Sequence, residues 1–94
     1  MKLIIVAAIA AAAIGVAGTA SAQEAAAKSA GCLNCHAVDT KKVGPSFKDV
    51  AAKYKGKADA QKTLVDKLAS GKGHPEVKVK GAELDGIVKW VLAQ

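Results

Sequence analysis

The stretch GCLNCHAVDT, residues 31–40, gathers the most reactive side chains of this 94-residue chain: Cys32 and Cys35, two residues apart, with His36 directly after the second. Such a run can hold a zinc ion, a redox disulfide or a haem. Zinc in a structural site needs four tetrahedral ligands, normally supplied as two spaced pairs. Cys32 and Cys35 make one pair, but the chain then offers only His36, poorly placed to join the same chelate, and His74. A catalytic disulfide belongs near the start of a helix that follows a strand, and no strand-like pattern precedes Gly31. A structural disulfide across two residues closes too small a loop to stabilise much. Haem alone gives every member of the run a role. The two thiols add to the two vinyl groups of the porphyrin, and His36 lies under the iron as proximal ligand. The run therefore points to one covalent haem c held by Cys32, Cys35 and His36.

The amino terminus agrees with that chemistry. Lys2 precedes an apolar run from Leu3 to Ile14, which dissolves into Gly15, Gly18 and Thr19 and reaches Ala20-Ser21-Ala22. This is the pattern of a secretory signal with an A-x-A cleavage site. The competing reading, a membrane anchor, wants about 18 or more consecutive apolar residues. Residues 1–22 are thus expected to be a cleaved signal peptide and residues 23–94 the mature domain, exported to the bacterial periplasm without stable membrane insertion. Cysteines may be oxidised there, and covalent haem attachment is possible.

A domain of 72 residues has trouble burying enough surface on its own and commonly needs a staple, a metal or a cofactor. The full chain carries a net charge of +6, and all its Lys and Arg positions are lysine. Nucleic-acid binding would favour arginine and stacking aromatics, whereas the mature part has only Phe47, Tyr54 and Trp90. Redox partner proteins with acidic docking surfaces fit the charge better.

The elements that must position these groups read as helices. Glu24 to Ala30 is an alanine-rich helix ended by Gly31. Ser46 to Tyr54 puts Phe47, Val50, Ala51 and Tyr54 on one face and stops at Gly56. Asp59 to Ser70 aligns Ala60, Leu64 and Leu68 and ends before Gly71, which can take positive φ. Ala82 to Ala93 carries Leu84, Ile87, Val88, Val91 and Leu92 in a broad stripe, with Glu83 and Asp85 in its first turn. The fold class is all-α: four short helices and loops, with DTKKVGPS joining the first two and GKGHPEVKVKG the last two. Pro75 biases His74 towards an extended conformation, so His74 projects from a loop.

GCLNCHAVDTKKVGPSFKDVAAKY and the closing LDGIVKWVLAQ resemble the small single-haem bacterial class I cytochromes c, over most of residues 25–94. The resemblance implies a periplasmic electron carrier, not an enzyme, as a monomer with its four helices wrapped around one haem. It implies that the first and last helices cross near Trp90, and that the Pro45 carbonyl accepts a hydrogen bond from the free ring nitrogen of His36, fixing its tautomer. The chain departs from the family in the distal loop, where His74-Pro75 stands in place of a methionine followed by proline. Met1 leaves with the signal.

His74 is the only remaining imidazole and falls where the family's distal ligand falls, so His36/His74 ligation is expected, with a reduction potential below that of a Met/His pair. Lys72, Lys78 and Lys80 compete, but an amine must first lose a proton from a reference pKa of about 10.4. The other functional reading is an open or displaceable distal site that binds a small diatomic ligand or has peroxidase-like activity. Lys41, Lys42, Lys48, Lys72 and Lys78 are the candidates for a docking ring around the haem edge.

Overall fold

The computed structural model describes residues 14–94. Helix α1 spans Ile14–Ser29, α2 Phe47–Tyr54, α3 Ala60–Ser70 and α4 Gly81–Leu92, with a short 3-10 turn over Cys32–Asn34. The architecture is all-helical with four helices, and no strand occurs among the described residues. None of the helices is long and apolar enough to cross a membrane. The n-region at Lys2 and nearly all of the apolar run after it lie outside the described residues.

Helix α4 organises the packing, touching α1, α2 and α3. Its stripe is the centre of the core: Leu84, Ile87 and Val88 are each only 2% exposed, and Val91 is buried beside them. Burying side chains of this size contributes about 1.5–3 kcal/mol apiece. Helix α1 crosses it where Gly86 leaves room for the Gln23 side chain, and Ala27 of α1 is fully buried there.

The short helices are held at their ends. The Ser46 hydroxyl accepts from the Asp49 N–H at 3.1 Å, capping α2 and satisfying one of its unpaired first-turn donors. The face of α2 that turns inward is the expected one: Phe47 is buried, Val50, Ala51 and Tyr54 half-buried, and the intervening residues exposed. Helix α3 stops at Gly71, whose φ of 75° continues the chain in the left-handed region.

Several boundaries differ from the sequence reading, mostly by one residue: α1 ends at Ser29 instead of Ala30, α2 and α3 start at Phe47 and Ala60 instead of Ser46 and Asp59, and α4 ends at Leu92 instead of Ala93. α1 is already helical at Ile14, where the described residues begin, upstream of the expected start at Glu24; alanine has the highest helix propensity, and Gly15 and Gly18 weaken a helix without breaking it. α4 starts one residue early, at Gly81, with Glu83 alone as its first-turn acid. Asp85 serves instead as a tie to α3, accepting from Gln61 Nε2 through Oδ1 at 2.7 Å and through its carbonyl at 2.9 Å.

Candidate functional site

Gly31, at φ 85°, turns the chain out of α1 and into the 3-10 turn. The Cys32 carbonyl then accepts from both Cys35 N–H, at 3.3 Å, and His36 N–H, at 3.0 Å. One carbonyl thus fixes the spacing of the whole Cys-x-x-Cys-His run. Both cysteines are free thiols, Cys32 half-buried and Cys35 exposed. Burial pushes the Cys32 thiol above its ordinary pKa, and a backbone hydrogen bond offsets part of that rise.

A short ladder of backbone bonds lays the following loop over this turn. Gly44 N–H donates to the Cys35 carbonyl at 2.7 Å, Phe47 N–H to Ala37 at 2.9 Å and Lys48 N–H to Val38 at 3.1 Å. The ladder brings the Pro45 carbonyl to His36, whose Nδ1 donates to it at 2.6 Å. A carbonyl only accepts, so Nδ1 carries the proton and Nε2 keeps its lone pair. The ring is boxed from two further sides. Phe47 stacks on it with centroids 5.2 Å apart, and Trp90 of α4 meets Phe47 edge-on at 5.4 Å. On the other flank, a Cβ at Gly44 would lie 2.4 Å from His36 Cε1.

The loop between α3 and α4 brings His74 to the same place. Its ring is parallel to that of His36, with centroids 6.1 Å apart and planes 4° from parallel. His74 Nδ1 donates to the Pro75 carbonyl at 2.7 Å, so its Nε2 is likewise the basic nitrogen. Cys32, Cys35, His36, Pro45 and His74 therefore converge, although Pro45 and His74 lie nine and 38 residues beyond His36. Gly44 and Phe47 were missed as site residues by the sequence reading. The glycine directly before Pro45 was the one available signal, since a glycine beside a predicted site residue can mark a close approach of the backbone.

The five candidate docking lysines are all exposed, but two have local partners. Lys42 donates to the Leu33 carbonyl at 3.1 Å, and Lys48 pairs with Asp39 at 2.5 Å. Lys80 is also engaged, donating to the Ala69 carbonyl and to Glu76.

Two thiols held close together and an imidazole with a fixed basic nitrogen, backed by Phe47 and Trp90, fit a covalently held porphyrin, the site of a small class I cytochrome c. The family model for cytochrome c matches residues 19–93. Cytochrome c-552 of Nitrosomonas europaea is 41% identical over 91 residues, covering 88% of each chain. Cytochrome c-551 of Pseudomonas aeruginosa is 42% identical over 74 residues, covering 71% of each.

Among solved structures, the class 1 cytochrome MtoD from Sideroxydans lithotrophicus ES-1 superposes with a TM-score of 0.65 at 34% identity, covering 78% of this chain and 92% of that one. The wild-type Nitrosomonas europaea cytochrome c552 gives 0.65 at 37%, covering 74% and 96%. The chain belongs to the cytochrome c family. It carries one haem c, bound covalently through Cys32 and Cys35, and is an electron carrier that exchanges electrons with redox partners, not an enzyme.

Proposed function

We propose that the mature protein is a periplasmic, monomeric electron carrier whose iron is held between His36 and His74. The observation that carries this reading is the pair of parallel imidazoles 6.1 Å apart. Two imidazoles at this separation, each with a lone pair left on Nε2, could together hold one iron. Each ring also donates its Nδ1–H to a prolyl carbonyl, the outer hydrogen bond that metal-bound histidines almost always make. The haem supplies a one-electron iron couple. These residues would hold it: Cys32 and Cys35 by covalent bonds, His36 and His74 by their basic nitrogens, and Pro45 and Pro75 by fixing the tautomer that leaves each Nε2 its lone pair. An open distal site is disfavoured by the same parallel ring.

With imidazole in place of a thioether the potential is lower than that of a Met/His relative, and His74→Met should raise it. Absorption and paramagnetic resonance spectra of the ferric holoprotein test the ligand set directly. Low-spin iron without the far-red band of sulfur ligation is expected, and that band should appear in His74→Met. A high-spin ferric signal at neutral pH in the unaltered protein would sink the assignment.

Export is supported by the exposure of the A-x-A segment: Ala20, Ser21 and Ala22 are exposed, while Gln23, Ala26 and Ala27 turn to the core. Cleavage after Ala22 keeps Gln23, Ala26 and Ala27 in the mature domain. Mass spectrometry of the exported protein should give residues 23–94 plus one haem. Lys41, Lys72 and Lys78, which have no acidic partner among the described residues, are free to meet an acidic docking surface. Electron-transfer rates with such a partner then fall as salt rises.

A further inference from the structure

The last turn of α3 is completed by the loop that carries His74. The final four carbonyls of a helix have no partner within it. Here the Lys67 carbonyl accepts from Gly71 N–H at 3.1 Å, the Leu68 carbonyl from Val77 N–H at 3.2 Å and the Ala69 carbonyl from the Lys80 ammonium at 2.8 Å. Three consecutive carbonyls bind three successive points of the loop. His74 stands midway on the arc between the first two, whose feet are pinned to adjacent residues of α3.

The arc has little hold of its own. The bond from His74 to Pro75 lies inside it, and Lys72 N–H reaches only Ser70 Oγ at 3.4 Å. The place of His74 is therefore set at the feet. Lys80 ties the second foot twice, since its ammonium also meets Glu76 Oε1 at 3.0 Å. A cation at the start of α4 opposes that helix's dipole, but the Lys80 side chain reaches back to the C-terminus of α3, where a cation is favoured.

We propose that Lys80 is a positioning residue for the sixth iron ligand: its ammonium latches the loop to the end of α3 and so sets how often His74 leaves the iron. This rests on the reading of His74 as that ligand. The ion pair with Glu76 is half exposed and contributes little by itself. The charge-assisted bond to the Ala69 carbonyl is the stronger part of the latch.

The test is cyanide binding to the ferric holoprotein, whose rate at saturating cyanide is the rate at which His74 leaves. Lys80→Met should raise that limit about tenfold, the loss of one charge-assisted hydrogen bond. Lys80→Arg should restore most of the original rate, and Glu76→Gln should raise it less than Lys80→Met because the Ala69 contact survives. An unchanged limit in Lys80→Met, or an arginine variant as fast as the methionine one, overturns the latch. If Lys80→Met does not fold, Lys80→Gln, which keeps a polar side chain but removes the charge, decides, and an unchanged limit there overturns the latch too.

His74→Ala separates the latch from the reading beneath it. Loss of the low-spin signal and of saturation in that variant upholds His74 ligation, so the lysine variants then judge the latch alone. A His74→Ala protein with unaltered spectra and kinetics overturns both.

Discussion

At the scale of single residues, the proximal imidazole is held by what surrounds it as much as by its place after Cys35. Gly44 has a negative φ, so no backbone strain demands glycine there. The space does: a Cβ would sit 2.4 Å from His36 Cε1 and 2.8 Å from Nδ1. Those atoms belong to a ring pinned by Pro45 on one edge and Phe47 on a face, which cannot swing away cheaply. Gly44→Ala is expected to destabilise the holoprotein by about 1–3 kcal/mol, as overpacking does. The thermal midpoint should fall by about 4–8 °C for each kcal/mol in a domain of this size. The same variant should shift the midpoint potential, because the ring cannot move without lengthening its bond to Pro45. A substitution that lowered the melting temperature and left the potential unchanged would mean that the ring does not respond to Gly44.

At the scale of elements, the helices are small and depend on their ends and on α4. Ser46 is 3% exposed and caps α2 directly before Phe47, the residue that stacks on His36. Ser46→Ala should cost about 1 kcal/mol, and near-ultraviolet circular dichroism from Phe47 and Trp90 should weaken with it. Deep in the core, Ile87→Ala should cost about 2–5 kcal/mol through lost burial and the cavity left behind. Chemical denaturation of the holoprotein measures both, and a core cost no larger than the cap's would contradict the central place of α4.

Helices α2, α3 and α4 were legible in the sequence because apolar spacing and glycine stops are local signals. The extension of α1 upstream of Glu24 was not, since an alanine run carries no mark of where its helix begins. The ladder from Cys35, Ala37 and Val38 to Gly44, Phe47 and Lys48 was also illegible, because backbone bonds between loops have no periodicity. The covalent half of the site could be read from five adjacent residues. That Lys80 serves α3 instead of standing free near His74 could not, because it depends on the path of a loop rather than on residue types.

At the scale of the whole molecule, the question is what makes so short a chain fold. The buried apolar side chains among the described residues are Ala27, Phe47, Ala60, Val79, Leu84, Ile87, Val88 and Val91, and two of these are alanine. The rest of the apolar contacts, including Leu33, Val38, Leu64, Leu68 and Val77, are only partly buried against that core. The ordering entropy, about 1–2 kcal/mol for each residue's backbone, leaves a domain of this size near balance from its side chains alone.

Among the described residues the two loops that meet at His36 and His74 make no hydrogen bond to each other, so a haem bound by both would add a link across the site to the one that α4 already makes between α2 and α3. A group that binds the folded state and not the unfolded one stabilises by mass action, and one attached covalently cannot dissociate. The double substitution Cys32→Ala and Cys35→Ala, which leaves the helices and both histidines in place, should therefore yield a chain with largely lost far-ultraviolet helical signal at 25 °C. Added free haem should recover part of that signal through His36 and His74. A haem-free double variant with full helical content and a cooperative thermal transition would show that the eight-residue core suffices, and that the cofactor adds chemistry without holding up the fold.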